Sequence, residues 1–231
     1  MITVRDLRAE RGDTTVLEGL SLRIEDGEFL VVAGANGSGK TTLVRQFNGL
    51  LEPASGTVRV DGIDVSENPV AARTSVGMVF QAPRDCFVAA TVGADVAFGP
   101  ENLGLDREEI DRRVGAALEA VGMADRRGAR IDRLSGGQQA RVAVAGALAM
   151  EPDHLVLDEP FTGLDHPARR SIRRRLGTLS ADGTSVIVVT HDLREVGDLA
   201  DRIVVLSGGT VALETHSPSD ERLAEFGVRP C

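Results

Sequence analysis

The chain has 231 residues, 42% of them hydrophobic, and a formal net charge of −9. That length suits one large domain or two small ones. The acidic balance excludes a nucleic-acid binder held by a basic face, and no apolar run approaches the roughly 20 residues of a membrane-spanning helix.

In chain order, residues 2–8, 15–17, 21–24 and 29–33 predict short strands separated by turn residues. Residues 34–39 form a glycine-rich loop, and 40–50 predict a helix. Strands follow at 57–60 and 77–80. From about 91 to 150 the pattern turns helical. Ile110, Val114, Ala117, Leu118 and Val121 make one apolar stripe on an amphipathic helix over 107–121. Residues 138–150 are almost wholly apolar after Arg141, which predicts a buried helix. Strand and helix then alternate: strand 154–157, helix 168–179, strand 185–189, helix 193–199. Strands at 202–206 and 210–214 flank Ser207-Gly208-Gly209 as a hairpin. The arginines at 169, 170 and 173–175 read as a solvated helix face. Alternation of this kind implies an α/β fold with a parallel sheet. The expected division is a core of residues 1–80 and 152–216, a helical subdomain of about 82–151, and a short polar tail of about 217–231 with weak structure. Cys86 and Cys231 read as free thiols. Met1 leads directly into Ile2-Thr3-Val4, which is neither a signal peptide nor a basic presequence. The expected place is therefore the cytosolic side, with any membrane role borrowed from partners.

Residues Gly34-Ala35-Asn36-Gly37-Ser38-Gly39-Lys40-Thr41 match the phosphate-loop pattern G-x-x-x-x-G-K-[ST] without departure. An apolar strand precedes the loop and a helix follows it. Glycines let successive backbone N–H groups turn inward around phosphate oxygens. The helix start adds its positive end. Lys40, the only lysine in the chain, supplies a compact mobile charge for terminal phosphates. Thr41 offers a hydroxyl to Mg²⁺, and Thr42 can reach another phosphate.

The strand at 154–157 ends in Asp158-Glu159-Pro160. Ligands of open α/β sheets bind beyond the carboxyl ends of the strands. Asp158 fits a Mg²⁺ role, and Glu159 fits a general base that deprotonates the attacking water. Leu134-Ser135-Gly136-Gly137-Gln138 opens the buried helix as a second anion-seeking helix end. The chain's own loop already accounts for one nucleotide, so this second end points to a nucleotide held by another chain.

Leu134-Ser135-Gly136-Gly137-Gln138, between the phosphate loop and Asp158-Glu159, resembles the signature of the ABC (ATP-binding cassette) ATPases. The resemblance covers essentially the whole chain. It implies a P-loop NTPase of the ABC type: a parallel-sheet core, an N-terminal antiparallel β subdomain and a helical insert. It also implies ATP and Mg²⁺ as ligands. Gln81 matches the glutamine that senses the metal and the attacking water. Gly163-Leu164-Asp165 resembles the loop following the catalytic strand, and His191 matches the histidine that contacts the γ-phosphate. In the family two such subunits pack head to tail, which implies that each ATP lies between residues 34–42 of one chain and Ser135, Gly136 and Gly137 of the other. Gly77-Met78-Val79-Phe80-Gln81-Ala82-Pro83 and the run from Thr91 to Gly104 look like the energy-coupling-factor group, which imports cobalt, nickel or vitamins such as biotin. The implied partners are a second ATPase subunit, identical or paralogous, a transmembrane coupling subunit and a substrate-binding membrane subunit, with no nucleic acid. The aromatic that relatives often stack on adenine has no counterpart at Glu10-Arg11-Gly12, and the longer C-terminal extension that relatives often use in dimerisation is not expected here.

Three rival readings fit less well. A soluble ABC ATPase of DNA repair or translation usually carries a coiled coil, a zinc insertion or a second ATPase domain. A GTPase needs an Asn-Lys-x-Asp motif, and no lysine is left for it. A non-enzymatic scaffold has no use for Glu159 and His191 together.

Overall fold

The computed structural model describes residues 1–82 and 87–230. Pro83, Cys86 and Cys231, singled out above, lie outside the described residues. Among the described residues, ten strands and six α-helices form two sheets and a helical layer. The strands are β1 (Ile2–Arg11), β2 (Thr14–Ile24), β3 (Phe29–Ala33), β4 (Ser55–Val60), β5 (Ile63–Asp64), β6 (Val76–Val79), β7 (His154–Asp158), β8 (Ser185–Thr190), β9 (Arg202–Ser207) and β10 (Thr210–Thr215). The helices are α1 (Lys40–Val44), α2 (Pro69–Ser75), α3 (Val92–Asn102), α4 (Arg107–Ala120), α5 (Gly136–Ala149) and α6 (His166–Ala181).

A four-stranded antiparallel sheet runs β2-β1-β4-β5, and a six-stranded sheet runs β10-β9-β3-β8-β7-β6. In the larger sheet only β10 is antiparallel to its neighbour. Its central strands β3, β7 and β8 are buried along their whole length, as strands covered on both faces must be. Side chains alternate across a strand, and the core divides accordingly. Phe29, Val31 and Ala33 face the helical layer with Leu155, Leu157, Val186 and Val188. Leu30 and Val32 face the antiparallel sheet and α1 with Val156, Ile187 and Val189. Helix α5 is the hub of the helical layer, packing on both α3 and α4.

Several elements differ from the sequence-based expectation. Strand β2 is continuous, following β1 through register shifts that absorb the turn residues inside it. Helix α1 stops at Val44 and passes into turns rather than reaching residue 50. Helix α2 carried no apolar stripe to announce it; Asn68 caps it and Pro69 opens it. The helix expected at 193–199 is two 3₁₀ turns, Leu193–Glu195 and Gly197–Leu199, with Val196 at the break. The tail is not loose: Leu223 and Val228 are buried. Arginines 169 and 173 of α6 are tied to Glu195 and Asp198 rather than purely solvated.

Candidate functional site

The parallel register brings three strand ends together. Ala33 at the end of β3 sits beside Thr190 at the end of β8, and Asp158 at the end of β7 sits beside Val189. The glycine loop, the two carboxylates and His191 therefore emerge along one sheet edge.

The loop conformation depends on glycine at two points in particular. Gly34 has φ of 143°, and a Cβ there would stand 2.4 Å from the Leu206 carbonyl oxygen and 2.8 Å from Ser38 Oγ. Gly39 has φ of 101°, and a Cβ there would stand 2.7 Å from Leu17 Cδ2. No other residue allows both the backbone turn and the close approach. Lys40 is buried, and its Nζ donates to the carbonyls of Gly34 and Ala35, each at 2.8 Å. Burial pulls the Lys40 ammonium down from its ordinary range, against the opposing charges of Glu159 and Asp158. Ser38 Oγ, within the loop, is buried with no hydrogen-bond partner among the described residues, a polar atom that a phosphate oxygen would satisfy.

Asp158 is 4% exposed and accepts from Thr41 Oγ1 at 2.7 Å. Burial raises its carboxyl above the ordinary aspartate range, with the Glu159 charge adding to it and the Thr41 hydrogen bond opposing. A hydroxyl and a buried carboxylate at this distance are the oxygen donors a hard divalent cation takes.

Glu159 has φ of 50°, a left-handed backbone that is strained for a non-glycine residue. Its amide donates to the Val189 carbonyl at 2.9 Å, and its carbonyl accepts from Thr162. This pins the carboxylate at the cleft edge. Oε1 lies 2.7 Å from His191 Nδ1, and Oε2 lies 3.3 Å from Thr190 Oγ1. A carboxylate only accepts, so Nδ1 carries the proton and Nε2 is left for another ligand.

Asn36, Gly37, Gly39, Lys40, Thr41, Thr42, Gln81, Asp158 and Glu159 line one cleft with Arg11, Val16 and Arg45. Its volume of about 540 Å³ is of nucleotide size. Of the residues picked out from sequence, Gly34, Ser38, His191, Ser135, Gly136, Gly137, Gln138 and Asp165 are not in its lining; Gly34 and Ser38 belong to the loop itself, and His191 is bonded to the lining residue Glu159. Ser135 and Gln138 form a capping box at the start of α5: Ser135 N donates to Gln138 Oε1 at 2.9 Å and Gln138 N to Ser135 Oγ at 3.3 Å. The Gln138 side chain is thus committed to the helix end. Asp165 caps α6, accepting from Ala168 N at 2.9 Å. Its loop touches the α5 end, since a Cβ on Gly137 would stand 3.3 Å from the Gly163 carbonyl.

Two contributors were missed. Arg45 stacks its guanidinium 5.8 Å over the Phe80 ring and carries charge toward Asp158. Its place one residue past α1 gave no chemical signal. Thr190 closes β8 beside Glu159, and a threonine ending an apolar strand reads as ordinary.

The ABC transporter family pattern matches residues 17–162. A protein of Halobacterium salinarum named for ABC transporter ATP binding is 63% identical over 232 residues, covering 100% of both chains. The energy-coupling factor transporter ATP-binding protein EcfA of Methanothermobacter thermautotrophicus is 44% identical over 93% of this chain and 70% of its own length. The structure of CbiO1 from Clostridium perfringens, part of the ABC transporter complex CbiONQ, superposes with a TM-score of 0.79 at 35% identity, covering 93% of this chain and 88% of that one. With a phosphate loop, paired carboxylates and a histidine on one sheet edge, and with these relatives, the chain belongs to the ABC transporter ATP-binding family, in its energy-coupling-factor branch, and is an ATPase.

Proposed function

We propose that the chain drives an energy-coupling-factor importer from the cytoplasmic face of the membrane, paired with a second cassette and docked on separate membrane subunits. The cargo class is a metal ion such as cobalt or nickel, or a vitamin such as biotin. The observation that carries the catalytic part is the Glu159 carboxylate, fixed by His191 and Thr190 at the edge of the phosphate-loop cleft.

In this reading Asn36, Gly37, Ser38, Gly39, Lys40, Thr41 and Thr42 bind the phosphates of ATP through amides, hydroxyls and one ammonium. Thr41 and Asp158, with Gln81 nearby, would hold Mg²⁺, which neutralises charge on the β- and γ-phosphates when bound. Glu159 takes a proton from water as the water oxygen bonds to the γ-phosphorus, and the bond to the β-γ bridging oxygen breaks, giving ADP and phosphate. His191 orients Glu159 through Nδ1 and offers Nε2 toward the γ-phosphate. Ser135, Gly136 and Gly137 serve the nucleotide of the other subunit; their place at the start of α5, outside the lining of their own chain's cleft, supports this. Asp165 holds the neighbouring loop at that junction.

Replacing Glu159 with Gln keeps shape and hydrogen bonding but removes the base. The expected outcome is retained ATP binding with turnover lower by about 10²–10⁴-fold, measured as phosphate release. Near-normal turnover would remove Glu159 from that role. For the importer reading, the chain should co-purify from membranes with membrane-spanning partners. Recovery in the soluble fraction alone would favour the rival reading of a soluble ABC ATPase.

A further inference from the structure

The C-terminal segment looks from its composition like a polar tail, yet it is packed against the catalytic loop. Asp220 accepts from the Arg222 amide and opens a 3₁₀ helix, Glu221–Phe226. Leu223 from that helix and Val228 beyond it enter the same core cluster as Leu193 and Val196. Between them the chain turns at Gly227, with φ of 70°. This turn stands against the phosphate loop: a Cβ on Gly227 would lie 3.5 Å from Ala35 Cβ.

The residues after the turn reach the loop that follows β8. The Arg229 amide donates to the His191 carbonyl at 2.9 Å, and the Arg229 carbonyl accepts from the Leu193 amide at 2.9 Å. These two bonds make a parallel bridge between Asp192 and Arg229. The Arg229 guanidinium lies 3.8 Å from the Asp192 carboxylate, but it is exposed and adds little. The main chain carries the contact. His191, bonded through its carbonyl to Arg229, is bonded through its ring to Glu159 at 2.7 Å. A continuous chain of contacts therefore runs from a buried anchor, Leu223, through the Arg229 main chain and His191 to the carboxylate.

We propose that residues 220–230 form a strap that positions His191 against Glu159, so that turnover depends on a segment outside the nucleotide cleft. The proposal rests on the reading of Glu159 and His191 as the catalytic pair. His191 lies just past the end of β8, beyond the sheet ladder, and a loop without ladder bonds opens easily. The strap supplies the missing bonds on both sides of Asp192. Small displacements of catalytic groups are costly, about 10²-fold for roughly 1 Å. Arg229 acts here as a positioning residue through its backbone.

The test measures ATP turnover and ATP affinity for the full chain carrying Arg229→Pro, which removes the donating N–H, or Leu223→Ala, which loosens the anchor. Each is made alone and in a His191→Ala background. The expected result is a fall in kcat of about tenfold for each in the wild-type background, from the loss of one or two backbone bonds. ATP affinity stays within about twofold, and the further fall in the His191→Ala background is less than about twofold, since coupled residues are not additive. Equal falls in both backgrounds mean a general structural role and overturn the strap, as does no fall at all. Near-normal turnover of His191→Ala alone marks failure of the catalytic reading instead, and any loss from Arg229→Pro would then act elsewhere. Hydrogen exchange on the unaltered chain gives a check that needs no variant. The amides of Arg229 and Leu193 should exchange slowly; exchange at the rate of an open loop overturns the strap.

Discussion

Two helix ends in this chain carry glycine-rich, anion-seeking sequences, and they are built in opposite ways. At α1 the N-cap is Gly39 in a left-handed conformation, with no side chain bonded to the first turn. Its residues Gly39 to Thr42 open into the nucleotide cleft. At α5 the N-cap is Ser135, and the reciprocal bonds with Gln138 satisfy part of the first turn before any ligand arrives. A helix start leaves four orphan N–H groups. At α1 they need a ligand. At α5 the capping box makes the end stable by itself and leaves the Gly136 and Gly137 amides without a capping side chain. The difference teaches which site is complete within one chain. The α1 end also gathers Lys40, Asp158 and Glu159, whereas the α5 end stands against the Gly163 loop.

The largest test of this contrast falls on α1. Lys40→Ala removes the one cation inside the loop, and turnover should fall by about 10²–10³-fold with weaker ATP binding by the isolated chain. Phosphate-release assays and a fluorescent nucleotide titration check both. Retained affinity would mean that the open helix end suffices without the ammonium. The next effect is at α5. Ser135→Ala should cost about 0.5–2 kcal/mol of stability through the lost cap and lower turnover by about 10- to 100-fold, as for a lost bond to a charged group. ATP affinity of the isolated chain should not change. If that affinity collapsed, the α5 end would act in its own chain's cleft, and the contrast would be broken.

The same contrast explains what could be read from the sequence. The α1 loop is local: Gly34 to Thr41 are contiguous, and each glycine answers a backbone constraint nearby. Asp158 and Glu159 were readable because the apolar run Leu155-Val156-Leu157 leads directly into them and points to where the strand must end. The capping of Gln138 was hidden, because the same Ser-x-x-Gln spacing serves helix and ligand alike. Arg45 and Thr190 join the site through contacts with Phe80 and Glu159, far apart in sequence. The tail was hardest. Leu223, Phe226 and Val228 are a short apolar group interspersed with charges, too brief for a helix or strand period to mark them. Their burial follows from packing on elements distant in sequence, in one cluster with Leu193 and Val196. The 3₁₀ turns at 193–199 have the same origin, since that loop is shaped by its bridge to Arg229 rather than by helix propensity.

The smallest effect separates the two helix ends in the absence of ligand. At the α1 end a buried carboxylate, Asp158, is held beside the cleft at a cost. Its folded-state pKa lies above the ordinary value, chiefly because burial disfavours the charged form. A raised pKa in the folded state contributes stability that is fully present below the unfolded value and is lost as pH rises through the folded value. Ionising Asp158 in the ligand-free chain therefore carries a penalty. Asp158→Asn keeps the bond from Thr41 and removes the charge. Its Tm at neutral pH should rise by about 2–4 °C, and the gain should vanish as pH falls below about 3.9, where the aspartate is protonated in both states. Adding ATP with Mg²⁺ should reverse the order, stabilising the unaltered chain more than the variant, because only the carboxylate gains a cation. No comparable pH-dependent gain is expected at α5, where the groups that cap the helix are a hydroxyl and an amide. Calorimetry across pH, with and without nucleotide, reads all of these shifts. A variant less stable than the parent at neutral pH would mean that the Asp158 carboxylate is part of what holds the empty cleft together, not a strain kept for the ligand.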